Sequence, residues 1–180
     1  MTVINVAGLL GDPAGATRVV SLRDQYVALG PDLELAGPLN GRLRLQRTNR
    51  GILVSGHVTA PVRRTCARCL DPFVEDAGVS VSEEYLPSVD PDTGVALDID
   101  AVGEGVQLIN EHHEIDLGPV LHDEFALTEP MHPLCRPDCP GICVECGQRL
   151  GERHADHATD EIDPRLAALA SLLPKDRRPN

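Results

Sequence analysis

Cysteine and histidine pairs are the residues of this chain whose types and spacing could do chemistry. All six cysteines fall into close pairs, and a histidine pair follows them. The pairs are Cys66 and Cys69, Cys135 and Cys139, Cys143 and Cys146, and His154 and His157. Two thiolates at this spacing can bend around one tetrahedral ion within a turn. The eight ligands predict one or two structural zinc ions, and a scaffold rather than an enzyme.

The ligand pairs can be combined in more than one way. In the first arrangement, Cys143 and Cys146 join the two histidines around one ion, and the other four thiols hold a second. That second site would link a hairpin end to the C-terminal segment, and closing so long a loop favours stability. In the second arrangement, four thiols hold a single ion, and the first cysteine pair meets the histidines or stays reduced. These four thiols are Cys135, Cys139, Cys143 and Cys146. The histidines could also be solvated, and the thiols could form disulfides if the chain were exported.

The sequence argues against catalysis. Sites rich in cysteine are closed and hold no water, whereas a catalytic zinc keeps one position open. The chain has no HExxH, nucleophile-elbow, GxGxxG or GxxxxGK motif. A redox role for Cys66 and Cys69 would need a thioredoxin-like strand–turn–helix, and the flanking residues here have strand patterns. We therefore expect no catalytic residue and no small-molecule substrate.

Charge is distributed unevenly along the chain. The net charge is −12, yet between Arg42 and Arg68 there is no acid. The arginines of this block are candidate nucleic-acid contacts: Arg42, Arg44, Arg47, Arg50, Arg63, Arg64 and Arg68. From Asp71 to Pro130 the chain carries acids and neither Lys nor Arg. The pattern predicts an arginine face for RNA and an acidic face for a basic protein, unless both are simply solvated.

Composition sets the core and the compartment. Hydrophobic residues make up 42% of the chain and aromatic residues 2%, so the core must be aliphatic. Metal binding would add stability to such a core. No apolar run is long enough to cross a bilayer, and the start has no basic region or signal-peptide core. We expect a cytoplasmic protein with no membrane partner.

The elements that position the ligands are mainly strands. Residues 42–46 and 52–62 alternate with period two around a turn at 48–51, which predicts an antiparallel hairpin. A further strand is expected over about 73–85, so Cys66 and Cys69 would sit at a hairpin end. Residues 86–105 read as a loop. Asp116 could cap a helix over about 117–128, and Asp163 and Pro164 open a short C-terminal helix.

These elements predict an α+β fold with an antiparallel β-rich body of hairpins that could form a barrel, two short helices and a C-terminal zinc-knuckle segment. The body would span residues 1–131 and include the helix near 117–128. The cysteine and histidine segment and the last helix would span 132–180. We expect the two parts to pack as a single compact unit.

The order of motifs resembles the YceD family of large ribosomal RNA subunit accumulation proteins. The resemblance covers about residues 18–173 and rests on residues 65–73, 83–85, 133–147 and 162–169. Members often have further cysteines after the knuckle at Cys143 and Cys146, where this chain has His154 and His157. The resemblance implies a non-enzymatic factor for accumulation or processing of 23S ribosomal RNA, and a gene neighbourhood with a large-subunit ribosomal protein.

Two functions follow from these observations. The first is a ribosome-biogenesis factor that binds pre-ribosomal RNA or an assembly particle through its arginine block. The lack of aromatic residues favours contact through phosphates over base stacking. The alternative is a chaperone-like module whose acidic stretch binds a basic large-subunit ribosomal protein.

Overall fold

The computed structural model describes residues 3–90, 93–96 and 105–150, together with Arg165 and Leu169. The chain divides into two compact units, Met1–Cys139 and Pro140–Asn180. Most of the predicted C-terminal helix, and both predicted histidine ligands, lie outside the described residues. The packing of the C-terminal segment on the body stays a prediction.

One curled sheet dominates the described part of the first unit. Its strands are β1 (Val3–Asn5), β2 (Thr17–Gln25), β3 (Leu39–Arg47), β4 (Ile52–Thr65), β5 (Pro72–Pro87), β6 (Gln107–Ile109) and β7 (Glu114–Asp116). The spatial order is β1-β7-β6-β5-β4-β3-β2. Neighbouring strands are antiparallel except β5 and β6, which are parallel. The predicted β-rich fold is confirmed.

Alternation along β3, β4 and β5 separates a buried inner face from an exposed outer face. On β4 the inner face carries the predicted period-two series, all buried: Ile52, Val54, Val58, Ala60 and Val62. Leu43 and Leu45 of β3 and Val79 and Val81 of β5 are also buried. Because β-strand side chains alternate between faces, the residues between these positions point outward.

The two edges of the sheet approach each other. Arg18 of β2 donates from Nη1 to the carbonyl of Asn5 in β1 at 3.1 Å. Between these strands lies α1 (Ala7–Leu10), which buries Leu9 and Leu10. Four residues are too few to show helical periodicity, so no sequence pattern predicted α1. The edge contact curls the sheet around its inner, aliphatic face.

The helix α2 (Gly118–Leu127) confirms the helix predicted near 117–128. Leu117, Leu121 and Phe125 form its predicted apolar stripe and have no exposed surface. The N-cap of α2 is Leu117 and not the predicted Asp116, whose carboxylate stands one position earlier and accepts the Gly118 backbone N–H at 2.9 Å. α2 packs on β5. No helix in the described ranges is long and apolar enough to cross a bilayer.

Candidate metal centre

Four cysteine sulfurs come together at one end of the first unit. Cys66, Cys69, Cys135 and Cys139 have Sγ atoms that all lie within 4.8 Å of one another. The Sγ atoms of Cys66 and Cys139 are 3.8 Å apart, and those of Cys69 and Cys135 are 3.7 Å apart. A tetrahedral ion with zinc–sulfur bonds of about 2.3 Å places its sulfurs about 3.8 Å apart. The separation of the thiols is therefore that of a four-thiolate metal site and not of a disulfide, whose sulfurs are about 2.05 Å apart.

The first pair lies on the turn between β4 and β5. The Cys66 N–H donates to the Asp71 carbonyl at 2.9 Å, and the Leu70 N–H donates to the Cys66 carbonyl at 2.9 Å. Leu70 has φ 61°, in the left-handed region that usually favours glycine. This tight turn brings the sulfurs of Cys66 and Cys69 to the same side.

The Cys143–Cys146 turn in the second unit repeats this local geometry. The Cys143 N–H donates to the Gln148 carbonyl at 2.7 Å, and the Gly147 N–H donates to the Cys143 carbonyl at 2.9 Å. Gly147 has φ 69° and occupies the position that Leu70 holds in the first turn. Both turns are therefore cysteine-knuckle hairpins with the same backbone hydrogen bonds.

Backbone donors and neighbouring thiols set the protonation of the cluster. The backbone N–H groups of Cys135 and Cys69 lower the pKa of Cys66 to about 6. At Cys69 the Asp71 N–H acts to lower the pKa, but burial and the adjacent thiols outweigh it and raise the pKa to about 12. Burial raises the pKa of Cys135 as well. Cys69 and Cys135 therefore resist ionisation, and a bound cation would favour their thiolate forms.

The second knuckle is prepared in the same way. The backbone N–H groups of Cys146 and Glu145 lower the pKa of Cys143. They stand two and three residues after Cys143, as the N–H groups of Arg68 and Cys69 stand after Cys66. The repeated arrangement favours thiolate at the first cysteine of each knuckle.

The residues that follow α2, 128–139, form an arm that carries the other two ligands. The Ala67 N–H donates to the Pro133 carbonyl at 2.8 Å. Arg68 donates from Nη1 to the Cys139 carbonyl at 2.9 Å. All four sulfurs belong to the first unit, so this cluster is complete without any residue beyond Cys139. This grouping matches the first predicted arrangement, in which Cys66 and Cys69 share a site with Cys135 and Cys139.

Arg64 anchors the beginning of the arm. Its side chain is 2% exposed and forms an ion pair with Glu75, with Nε 2.9 Å from Oε2. Its Nη2 donates to Thr128 Oγ1 at 2.8 Å, just after α2. Arg64 follows Val62 on the inner face of β4, and Cys66 comes next on that face. Strand alternation therefore buries both the anchor and the first ligand.

The seven predicted RNA-contact arginines do not form one surface. Arg47 is half-buried and donates to the carbonyls of Leu10, Thr48 and Gly51. Arg47 and Arg64 therefore hold the fold together and are not available for RNA. Arg63 pairs with Glu34, and Arg50 lies 4.0 Å from Glu84. Arg68, although exposed, bonds the arm, which leaves Arg42 and Arg44 as exposed arginines on the outer face.

His122 was not predicted to have a role, yet it bridges two elements. Its Nδ1 lies 2.9 Å from Asp123 Oδ1, and its Nε2 lies 3.1 Å from Asp32 Oδ1. Hydrogen bonds to Asp123 and Asp32 raise the pKa of His122, and the bond to His122 lowers that of Asp32. Since carboxylates only accept, both contacts are satisfied by the imidazolium. No spacing rule links residues 32 and 122, so sequence reasoning had no signal for this bridge.

Comparison of the sequence with known proteins finds one matching family and several relatives. Residues 54–173 match the family described as "Large ribosomal RNA subunit accumulation protein YceD". An uncharacterized protein of Mycobacterium tuberculosis strain H37Rv is 37% identical over 131 residues, which are 73% of this chain and 60% of the relative. An uncharacterized protein of Mycobacterium leprae is 35% identical over 144 residues, which are 80% of this chain and 63% of that relative. The match thus spans under two thirds of either relative, and no solved structure is significantly similar.

Proposed function

The chain belongs to the YceD family of large ribosomal RNA subunit accumulation proteins, and on that premise we propose that it is a non-enzymatic ribosome-biogenesis factor. It supports accumulation or processing of 23S ribosomal RNA by binding precursor RNA or an assembly intermediate in the cytoplasm. The observation that carries the proposal is the family match together with the closed four-sulfur cluster, which is built as a structural support.

Zinc is the proposed occupant of the cluster. Four thiolates complete a tetrahedral shell, and Zn²⁺ accepts sulfur ligands in that geometry without redox chemistry. The ion would neutralise thiolates that the fold cannot otherwise ionise together. It would hold the β4–β5 hairpin to the arm, and its binding free energy would add to the stability of the first unit.

A second zinc is proposed at the Cys143–Cys146 knuckle. Its backbone has the hydrogen bonds of the first knuckle, and its first cysteine favours the thiolate. His154 and His157 are the proposed remaining ligands, as the spacing of the sequence predicts. One structural ion in each unit would account for all eight predicted ligands.

The absence of catalysis is also proposed, and the cleft beside His122 supports it. Its lining includes His122 with Asp32, Asp116 and Asp123. Within the described residues that line it, none is Ser, Thr, Cys or Lys, so the histidine has no nucleophile to activate. Four cysteines around one ion likewise leave no position for a reactive water.

The acidic surface favours a second candidate function. Asp32, Asp116 and Asp123 gather at the same cleft, and the stretch from Asp71 to Pro130 adds no Lys or Arg. A basic large-subunit ribosomal protein could be held there before assembly. The two candidates share a process and differ in the molecule that is contacted.

The test is ribosomal RNA accumulation in a strain that lacks the protein. We expect the ratio of large-subunit to small-subunit RNA to fall, with precursors of the large-subunit RNA accumulating, and re-expression to restore it. An unchanged ratio during growth would refute the proposal. Co-sedimentation of the protein with assembling large subunits before and after ribonuclease treatment separates the candidates, because only an RNA-mediated association is lost.

A further inference from the structure

We propose, resting on the function proposed above, that the outer face of the sheet across β2–β5 docks the phosphate backbone of double-helical RNA. The surface consists of two rows of residues, and each row has one residue from each of the four strands. We call these eight residues the outer patch: Val19, Arg44, Ser55 and Ser82 in one row, and Ser21, Arg42, His57 and Ser80 in the other.

Strand register defines the patch. Arg44 is paired with Val19 on one side and Ser55 on the other, and Ser55 is paired with Ser82. Neighbouring strands lie about 4.8 Å apart, so four strands span about 14 Å, and residues two apart on one strand are separated by about 7 Å. The alternate positions, such as Leu43, are buried, so the patch side chains point to solvent.

The charge of the patch is opposite to that of the chain. The chain has 28 acidic residues, and none of them is in the outer patch. Along the outer face of β5 the flanking acids are Asp76 and Glu84, beyond the two ends of the patch. Glu84 accepts the Thr48 hydroxyl at 2.8 Å and lies 4.0 Å from Arg50, so it is already engaged.

Arg42 and Arg44 are the cations of the patch. Both are exposed, and neither makes an ion pair with any residue that the structure describes. A guanidinium can donate two parallel hydrogen bonds to a phosphate, which makes arginine a favoured phosphate ligand. Two such groups on one strand face can contact neighbouring phosphates of one RNA strand.

Small polar residues surround the arginines. Four serine hydroxyls and the His57 ring lie on the patch, and His57 Nδ1 is 3.5 Å from Ser80 Oγ. Side chains of this kind donate to phosphate and sugar oxygens, contacts that position a protein without reading sequence. Their small size also leaves the sheet surface flat enough for a helix of RNA to approach.

The aromatic residues favour double-helical over single-stranded RNA. Single strands are held by stacking their bases on aromatic side chains. Tyr85 and Phe125 are buried, Phe73 is half-buried, and Tyr26, the exposed aromatic, lies beyond the patch at the end of β2. Duplex RNA is recognised through its backbone and shape, which need no stacking platform.

The test is binding of labelled RNA to the full chain over a series of salt concentrations. The probes are an RNA duplex of about 16 base pairs, a single strand of the same length and the corresponding DNA duplex. We expect the wild-type protein to favour the RNA duplex, and the logarithm of its affinity should fall linearly with the logarithm of the salt concentration. Arg42→Gln and Arg44→Gln should each lower the slope of log affinity against log salt by about 1.

Two further variants sharpen the test. Arg136→Gln is the matched control because it removes one exposed charge from the arm, outside the strands that form the patch. Its slope should equal that of the wild type. Ser55→Asp places an acid in the first row, directly opposite Arg44, and should weaken binding at least as much as the loss of one arginine. Equal zinc content of all variants checks that they fold.

The outcomes separate the patch from the function. If the wild type binds RNA and the arginine variants keep its affinity and slope, the patch is wrong while the RNA-binding function stands. Tighter binding of the single strand overturns the choice of duplex RNA. If the wild type binds no RNA at low salt and retains a basic ribosomal protein instead, both the patch and direct RNA contact are refuted.

Discussion

Single positions on the two knuckles show how this chain brings each pair of thiols to the same side of a turn. Leu70 is held in the left-handed region, a strain on the order of 1–3 kcal/mol for a residue with a side chain. The flanking bonds of Cys66 impose this conformation, and in the second knuckle Gly147 adopts it freely. The strained turn aims two sulfurs at one point, and we infer that metal binding offsets the strain.

Replacing Cys66 and Cys69 by serine tests the cluster at this scale. The double variant should lose one metal equivalent and release the arm, because Cys135 and Cys139 would have no shared ion. Limited thermolysin digestion should then cut faster near Met131 and Leu134. Cys143→Ser/Cys146→Ser is the matched control and should leave cleavage at these sites unchanged. Equal protease resistance in both variants would contradict a metal site that links the β4–β5 turn to the arm.

The sequence predicted that Cys66 and Cys69 share a site with Cys135 and Cys139, which the structure brings together, but it treated all seven arginines of the block alike. Cysteine spacing is a local property, so it is visible in the sequence. The same is true of strand parity, which puts Arg64 on the face of Val62, and Arg47 on the face of Leu45. The predicted hairpin implies that its arginines alternate between the two faces, so they cannot all belong to one surface. Parity separates the buried anchors from the exposed Arg42 and Arg44.

At the scale of elements, two adjacent arginines of β4 point to opposite faces, and Arg64 is the one that contacts the arm. Arg64 is buried and joins Glu75 and Thr128, whereas its neighbour Arg63 is exposed and pairs with Glu34. A buried cation with two hydrogen-bond partners contributes more than an exposed pair in water. The two adjacent arginines therefore form an internal comparison.

Arg64→Ala should destabilise the first unit by on the order of 2 kcal/mol, since hydrogen bonds to charged groups contribute about 1.5–3 kcal/mol. Arg63→Ala should cost about 0–1 kcal/mol, as exposed pairs do. Urea-induced unfolding of the two variants measures the difference. If Arg64→Ala costs no more than Arg63→Ala, the anchor role is wrong.

The bridge between α2 and residue 32 predicts a pH dependence. His122 has its pKa raised above 6.5, so its stabilising contribution is present below pH 6.5 and is lost as pH rises through the raised value. Asp32 has its pKa lowered below 3.8, so its contribution is present above that pH and is lost in stronger acid. The bridge should therefore be strongest between these limits.

Hydrogen exchange of residues 27–33 measures this bridge. Protection, corrected for the intrinsic pH dependence of exchange, should fall in the wild type as the pH rises above 6.5. His122→Gln should remove that pH dependence, whereas Asp123→Asn should only reduce it because Asp32 remains. A pH-independent protection in the wild type would rule out the charged bridge.

The sequence predicted elements where a local period exists and missed them where the cause is distant. β3, β4 and β5 are long enough to show alternation, and α2 shows its stripe at Leu117, Leu121 and Phe125. α1 is too short for a period. The parallel pairing of Tyr85 with Gln107 joins segments separated by a long connection, which no local pattern specifies.

At the scale of the whole molecule, the four-sulfur cluster and the core of the sheet belong to one unit. Cys139 is the last residue of that unit, so the ligand set and the unit end together. The second knuckle belongs to the other unit, and its proposed histidine partners follow it in sequence. Metal content therefore reports separately on each unit.

Zinc stoichiometry of the full chain and of a fragment ending at Cys139 tests this division. The fragment should bind one zinc per chain, because it carries all four sulfurs of the cluster, and the full chain should bind two. His154→Ala/His157→Ala should reduce the full chain to one without changing thermolysin cleavage of the arm. Retention of two ions in that variant would mean that the second site has other ligands. A reduced fragment that folds but binds no zinc would refute the proposed metal centre. The four clustered cysteines would then be free thiols in the native protein.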